Sequence, residues 1–391
     1  MRTILLTGPG GSGRTTVAAV TALAAARDGA RTLLLGTDRD DSLGSVLGTP
    51  TGAEPVRAAP RLTVQRPDAT ARFRDDLAAF QERAASALDL LGASRLDPEE
   101  LTPLPGAEEL AVLRALRDAA LAEDAYDLVV VDLPPVERAL ALLSLPAELR
   151  RYLRRLLPPE RQAARALRPV LGKLAGVPLP ADRLYDTAAR WDVDLAAVEA
   201  VLADPDTTVQ LVAEPSPAGA DALRTAALGL ALHALTPEAL LANRVLPETG
   251  PDPWLAGLVA QQRKILGEWE GTPTPVHRLP HLGRDPRGAD DLAALTLPAP
   301  PARTPRVPWP VTRHPDDPGV LLWTVPLPGA TRDDLDLIRR GDELVLGAGR
   351  FRRIVPLPSA LRRCTVAGAG LRDGELTIRF TPDPGLWPAG R

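Results

Sequence analysis

The chain has 391 residues, of which 45% are hydrophobic and 25% are charged, and its formal net charge is −4. These values are typical of a folded globular protein large enough for two or three domains, and they argue against a general binder of nucleic acid or of anionic membranes. No apolar run is long enough to insert into a membrane, and the single cysteine, Cys364, excludes an internal disulfide and a C-x-x-C metal site. We therefore expect a cytoplasmic protein.

The first predicted element is a short apolar strand at residues 3–7, followed by a glycine-dense turn and an alanine-rich helix over 15–27. The turn follows the P-loop pattern G-x-x-x-x-G-K-[ST], in which backbone N–H groups surround phosphates at a helix N-terminus. Thr15 occupies the position of the magnesium-binding hydroxyl, whereas Arg14, with a wider and forked cation, replaces the lysine. The alternative is a glycine-rich turn without a ligand. The predicted phosphate-binding residues are Gly8, Gly10, Gly11, Ser12, Gly13, Arg14, Thr15 and Thr16.

Two further predicted strands end in acidic residues. A buried-strand candidate at 31–35 precedes Asp38, and the strongest strand candidate, at 126–133, closes on Asp132. A carboxylate at the end of a strand beside a P-loop holds magnesium or its water, as in the Walker B motif. The alternatives are a solvated turn with a helix cap around Asp38 and a core strand with an acidic end at Asp132.

Strands and helices alternate as far as residue 298, which predicts an α/β domain with a doubly wound, mostly parallel sheet. Amphipathic helices are expected at 73–91 and 107–122, and a proline-interrupted helical stretch predicts a helical subdomain at about 147–204. A proline-rich linker follows at 299–311. From residue 312 to 391 short strands at regular spacing predict a small all-β sandwich, so the chain is expected to have two domains, 1–298 and 312–391.

Several stretches carry a resemblance to a known family. The first domain resembles the arsenite-pump and tail-anchored-protein-targeting ATPases, which have a deviant Walker A P-loop, and the second is similar to the α-crystallin (small heat-shock) domain. The matching stretches are T-G-P-G-G-S-G-R-T-T from Thr7, Y-D-L-V-V-V-D-L from Tyr126, L-A-N-R-V-L-P from Leu241, V-P-L-P-G-A from Val325 and D-G-E-L-T-I-R-F from Asp373. Together the two resemblances cover almost the whole chain.

The resemblance implies a dimer that closes around ATP and magnesium and binds a client through helices that rearrange. It assigns Thr15 and Asp132 to the metal, and Asp38 to the carboxylate that activates the attacking water. Asp132 is the second of the two expected catalytic carboxylates. Asn243, the only asparagine in the chain, falls on the residue that reads adenine.

The chain departs from the family at positions that handle phosphate. Pro9 occupies the place of the signature lysine that reaches the partner's phosphates, and Arg14 that of the second lysine. In the switch after Asp132 the family has T-A-P-T-G-H-T, whereas residues 133–139 read L-P-P-V-E-R-A. Because groups that act on a transition state typically contribute a few kcal/mol each, about 3 kcal/mol per donor, several losses together predict impaired turnover.

Two functions remain open at this point. The first is a degenerate, nucleotide-sensing or non-hydrolysing subunit with a binding or chaperone-like role, in a dimer with itself or with an intact paralogue. The second is a slow Mg-ATPase that couples hydrolysis to the handling of a client protein or an anion. ATP or ADP with Mg²⁺ is the expected cofactor and a client polypeptide the expected partner, with no nucleic acid and no direct membrane insertion. The single cysteine argues against arsenite chemistry, which needs a cluster of soft ligands.

Overall fold

A computed structural model describes residues 1–38, 40–83, 96–97, 100–102, 106–122, 125–156, 180–248, 252–298 and 309–386. The end of the helix expected at 73–91, the middle of the helical stretch with Pro158, Pro159 and Pro178, and most of the predicted linker lie outside these residues.

The first part of the chain forms one sheet of eight strands, all parallel except β3 at one edge. Its strand order is β3-β4-β2-β5-β1-β6-β7-β8, so β2 to β4 lie on one side of β1, β5 returns to pair between β2 and β1, and β6 to β8 extend the sheet on the other side. This confirms the predicted doubly wound α/β class. The strands are β1 (Arg2–Thr7), β2 (Thr32–Gly36), β3 (Val56–Ala59), β4 (Leu62–Gln65), β5 (Leu128–Asp132), β6 (Thr207–Ala213), β7 (Pro237–Val245) and β8 (Val276–Pro280).

Helices cover both faces of this sheet. The described helices are α1 (Arg14–Arg27), α2 (Ser42–Leu47), α3 (Ala69–Arg83), α4 (Ala107–Leu121), α5 (Val136–Leu156), α6 (Pro180–Ala203), α7 (Pro217–Leu232), α8 (Pro253–Glu270) and α9 (Gly288–Ala293). Apolar residues of α1, α2 and α9 form the core on one face, and those of α4 to α8 form the core on the other. The central strands are buried on both sides, as the continuous apolar runs predicted. None of the described helices is long and apolar enough to cross a membrane.

Helix α5 begins at Val136, upstream of the helical subdomain that the sequence pattern indicated from about residue 147. Pro146 lies inside it, where a proline normally predicts a break. α5 packs against α6, and Arg150 joins the two helices through Asp192, with Nε 2.9 Å from Oδ1, and through Glu199. The basic residues at this end of α5 are therefore engaged in ion pairs.

The last part of the chain is the predicted β-sandwich, built of two antiparallel sheets in the orders β14-β15-β10-β9 and β11-β12-β13. Trp323, Leu346, Ile378 and Phe380 lie in the core between the sheets and are at most 3% exposed. The strands are β9 (Val311–Arg313), β10 (Leu321–Pro326), β11 (Leu335–Arg340), β12 (Glu343–Ala348), β13 (Phe351–Pro356), β14 (Cys364–Arg372) and β15 (Glu375–Pro382), with a 3₁₀ turn at Arg332–Asp334 and a short helix α10 (Ser359–Arg362).

Candidate functional site

The glycine-dense turn joins β1 to the N-terminus of α1, as the P-loop pattern requires. Gly11 and Gly13 have positive φ angles of 78° and 82°, which non-glycine residues rarely adopt. A Cβ at Gly8 would lie 1.9 Å from the carbonyl oxygen of Val212, and one at Gly13 would lie 2.3 Å from Nδ2 of Asn243. The turn therefore has the conformation of a phosphate-binding loop and is packed tightly against β6 and β7.

Asn243 lies near the end of β7, is 5% exposed, and donates from Nδ2 to the carbonyl oxygen of Ser12 over 2.8 Å. The side chain therefore braces the loop from behind. Its expected contact with adenine stays a prediction, because the amide's visible partner is the loop itself. Ser12 is also buried, and its Oγ has no hydrogen-bonding partner within the described part of the chain.

Asp132 ends β5, directly beside Leu6 of β1 and Gly36 of β2 in the sheet register. Its carboxyl is buried and accepts a hydrogen bond of 2.7 Å from Oγ1 of Thr15 to Oδ2. The other oxygen, Oδ1, has no partner among the described residues. The structure thus brings together the two residues that the sequence assigned to a metal, and it leaves one carboxyl oxygen free for a ligand.

The electrostatic balance at Asp132 is unusual. Burial raises the pKa of its carboxyl to about 7, even though the hydrogen bond from Thr15 and the charge of Arg14 oppose that shift. The negative charge of Asp38 adds to the rise in pKa. A cation bound beside Asp132 would remove this destabilisation of the ionised form.

Asp38 follows β2 on the same edge of the sheet and lines a cavity of about 380 Å³ with Arg66 and Glu108. Its neighbour Thr37 donates a 2.7 Å hydrogen bond to the carbonyl oxygen of Asp132. Asp41, in contrast, caps α2 by accepting from Gly44 N over 2.9 Å. The helix-cap interpretation is therefore right for Asp41, while Asp38 lines this cavity and lies near enough to Asp132 to affect its charge.

Arg14 does not point into the loop. Its guanidinium donates to the carbonyl oxygen of Leu133, immediately after Asp132. Thr16 follows in the first turn of α1, and Pro9 is half-buried in the loop. In this arrangement the positive charge at the lysine position is bound to the protein's own backbone.

The segment after Asp132 is fastened to the loop and to neighbouring elements. Val136 N donates to the carbonyl oxygen of Gly8 over 3.2 Å, and Thr7 Oγ1 donates to that of Pro134 over 2.8 Å. Glu137 and Arg138 both form ion pairs. Their partners are Arg350 of the sandwich, 3.5 Å from Glu137, and Glu108 and Glu109 of α4, 3.1 and 3.5 Å from Arg138.

Sequence reasoning did not find Arg244, the residue after Asn243. Arg244 has a left-handed backbone, with φ 56°, and its NH1 donates to the carbonyl oxygen of Gly11 over 3.2 Å. The same atom lies 2.5 Å from Glu214, the residue that follows β6, and NH2 lies 3.6 Å from Asp285. These residues line a polar cavity of about 450 Å³ beside the loop. The signal in the sequence was a basic and an acidic residue at the ends of adjacent strands.

The comparisons with known proteins agree with this geometry. Residues 1–297 match the family model described as anion-transporting ATPase, and residues 319–380 match an HSP20-like domain found in ArsA. The chain belongs to the ArsA family of anion-transporting ATPases. The predicted resemblance of the first domain to the arsenite-pump ATPases and of the second to the small heat-shock domain is thereby confirmed.

Relatives match this ArsA-family chain over nearly its whole length. An uncharacterized protein of Streptomyces coelicolor is 68% identical over 100% of both chains, and a Mycobacterium tuberculosis protein is 33% identical over 99% of this chain and 97% of its own. A protein of Aquifex aeolicus, provisionally named arsenical pump-driving ATPase 1, is 25% identical over 97% and 99% of the two chains. The order of the two domains is therefore shared with ArsA-family proteins of distant bacteria.

Proposed function

We propose that this ArsA-family protein is a nucleotide-sensing subunit that binds ATP or ADP with Mg²⁺ and hydrolyses ATP poorly or not at all. The observation that carries the proposal is the position of Arg14, whose guanidinium is held by the carbonyl oxygen of Leu133. The loop keeps the backbone conformation that its glycines allow, but its one cation, Arg14, is bound to the carbonyl oxygen of Leu133. Such a loop is better suited to binding a nucleotide than to stabilising a transition state.

The residues present fit a magnesium nucleotide. The first N–H groups of any α-helix have no partner within the helix, and the start of α1 has no side-chain cap. Together with Oγ of Ser12 and Oδ1 of Asp132, which have no partner within the described part of the chain, these are the groups that phosphate and hydrated magnesium require. Thr15 and Asp132 would hold the metal side, and residues 8–16 the phosphates. Bound magnesium would supply the positive charge that a buried carboxylate at Asp132 lacks.

Asp38 and Asp132 are present, but other groups that the family uses to accelerate hydrolysis are replaced in this chain. Pro9 offers no charge and no donor where the family's signature lysine reaches the partner subunit. Glu137 and Arg138 occupy switch positions and are tied to the sandwich and to α4. A switch held in this way does not easily rearrange around a γ-phosphate.

The second candidate is a slow Mg-ATPase that couples hydrolysis to the handling of a client protein or an anion. Two observations favour this slow ATPase. Thr15 is paired with Asp132, and Asp38 lies close enough to raise the pKa of Asp132. Arg244, which already contacts the loop at Gly11, is the residue that could replace the missing lysine charge.

We further propose a dimer, with a second copy or an intact paralogue, and a polypeptide client. Exposed apolar side chains on α5 and α6 support a client-binding surface on these helices. They are Tyr152, Leu156, Trp191 and Val193, which are between 46% and 76% exposed.

Calorimetric titration with MgATP and MgADP, followed by a phosphate-release assay, tests the proposal. We expect micromolar binding that Arg14→Ala weakens at least tenfold, because the arginine must turn to the phosphates when they bind, and no turnover above background. Arg224→Ala, which removes an exposed arginine on α7, is the matched control and should bind like the wild type. Turnover that Asp132→Asn abolishes would favour the slow ATPase, and absence of binding at millimolar nucleotide would contradict both candidates.

A further inference from the structure

The sandwich is docked on the nucleotide-binding domain through α5 and α7. Leu232, the last residue of α7, is fully buried in the sandwich core, and its carbonyl oxygen accepts a 2.8 Å hydrogen bond from NH1 of Arg353. At the far end of α5, Arg151 and Arg155 reach Glu343 of β12 over 3.0 and 2.8 Å. The interface therefore combines an apolar centre with ion pairs along α5.

The turn between β12 and β13 meets the opposite, N-terminal end of α5. Arg350 in this turn pairs with Glu137 over 3.5 Å. Phe351 packs against the cores of both domains. Phe351 lies over Gly229 of α7. A Cβ added at Gly229 would lie 3.0 Å from Phe351 Cζ and 2.3 Å from Leu140 Cδ1. The sandwich, α5 and α7 thus meet at one closely packed junction.

The same turn of α5 is attached to the phosphate loop. Val136 N donates a hydrogen bond to the carbonyl oxygen of Gly8, and the carbonyl oxygen of Leu133 accepts a hydrogen bond from the guanidinium of Arg14. Glu137, the residue that pairs with the sandwich, is the next residue after Val136. Four residues, 133–136, therefore separate Asp132 of the nucleotide site from the sandwich contact at Glu137.

We propose that the docked sandwich is an autoinhibitory restraint on the nucleotide site and acts through the first turn of α5. This inference rests on the proposed function, since it assumes that the loop binds nucleotide. While the sandwich is docked, it fixes the positions of Glu137 and Leu140. Residues 133–136 then keep the position in which the carbonyl oxygen of Leu133 accepts a hydrogen bond from Arg14. Release of the sandwich frees the arginine for phosphate. Because linkage is reciprocal, bound nucleotide weakens the docking of the sandwich by the same factor.

The proposal also accounts for residues that were singled out as departures from the family's switch. Glu137 stands where the family has a glycine and Arg138 where it has a histidine, and each is used here as an ion-pair partner. The sequence of the switch is thus adapted to hold the turn of α5 between the sandwich on one side and α4 on the other.

The test measures MgADP and MgATP affinity by calorimetry on the full chain and on Arg350→Glu, Glu137→Arg, the double swap and Phe351→Ala. Arg352→Glu is the matched control, because Arg352 lies two residues after Arg350, in β13, but pairs with Asp336 within the sandwich, over 3.2 Å. Hydrogen exchange at residues 136–142 and 349–356, with and without nucleotide, gives a second readout that does not depend on turnover.

We expect each single variant to bind nucleotide at least about fivefold more tightly than the wild type, because fivefold is the lower end of typical coupling between linked sites. The double swap should return toward the wild type, and nucleotide should raise hydrogen exchange in both segments of the wild type together. If the wild type binds and the interface variants match Arg352→Glu, the restraint is wrong while the nucleotide site stands. If no variant binds, both proposals fail.

Discussion

At the scale of single residues, the buried carboxyl group of Asp132 has only part of the hydrogen bonding and charge compensation that an ionised carboxylate requires. Thr15 satisfies one oxygen, the other has no partner in the described structure, and burial raises the pKa of the carboxyl to about 7. An unfolded aspartate has a pKa of about 4, so the folded chain without a cation favours the protonated acid between these two values. Protonation of Asp132 therefore contributes stability that is complete below about pH 4 and is lost as the pH rises through about 7.

Asp132→Asn should make the protein without nucleotide less sensitive to alkaline pH, because the amide is neutral at every pH. The melting temperature of the variant minus that of the wild type should rise between about pH 4 and about pH 7 and then level off. Differential scanning fluorimetry across this range measures the difference. Asp221→Asn, at an exposed aspartate on α7, is the control. If the difference in melting temperature for Asp132→Asn is as independent of pH as that of the control, the raised pKa is contradicted.

The sequence predicted which residues lie near one another in the site, but not which way they point. Gly8, Thr15 and Asp132 follow from motif spacing and from the rule that parallel strands end at one edge of a sheet, whereas Asn243 was assigned through the family resemblance. The capture of Arg14 by Leu133 could not be predicted, because a long side chain has several rotamers of similar energy and the backbone partner is distant in sequence.

At the scale of elements, the central strands were predictable because strands buried on both faces are continuous apolar runs. The edge strands β3 and β9 were missed, since they are short and their side chains are mostly half-buried or exposed. The start of α5 was also missed. Proline normally interrupts a helix, but Pro135 precedes the first turn of α5 and Pro146 is accommodated within it.

Gly229 illustrates how one helix position joins three elements. Alanine normally stabilises a helix interior by up to about 1 kcal/mol relative to glycine. At Gly229 its Cβ would meet Leu140 and Phe351 at 2.3 and 3.0 Å, so overpacking should outweigh this gain. We expect Gly229→Ala to lower the free energy of unfolding by about 1 to 3 kcal/mol.

Gly267→Ala on α8 is the matched control, because nothing lies within 4 Å of its added Cβ. This control should be neutral or stabilising by up to about 1 kcal/mol. Urea denaturation of both variants measures the two free energies. A Gly229→Ala protein as stable as Gly267→Ala would show that the junction of α5, α7 and the sandwich is loosely packed.

At the scale of the whole molecule, the two domains share part of a hydrophobic core. The sequence predicted both domains, and a small sandwich could have bound a separate partner or docked within the chain. The structure places it against α5 and α7, with Leu232 of the first domain inside the core of the second. Periodicity within each domain could not reveal this contact, since it joins residues more than a hundred positions apart, as Arg353 and Leu232 show.

This shared core predicts that the two domains unfold together. Leu232→Asp would bury a carboxylate without a partner at a fully buried position, which is strongly unfavourable, so the sandwich should separate from α7 while the first domain stays folded. Calorimetry should show one transition for the wild type and two for the variant, and hydrogen exchange should rise first in β12 and β13. Val193→Asp, at a residue 67% exposed on α6, should keep the single transition. Two transitions already present in the wild type would mean that the docked interface contributes little to stability, and a single lowered transition for Leu232→Asp would mean that the first domain depends on the sandwich to fold.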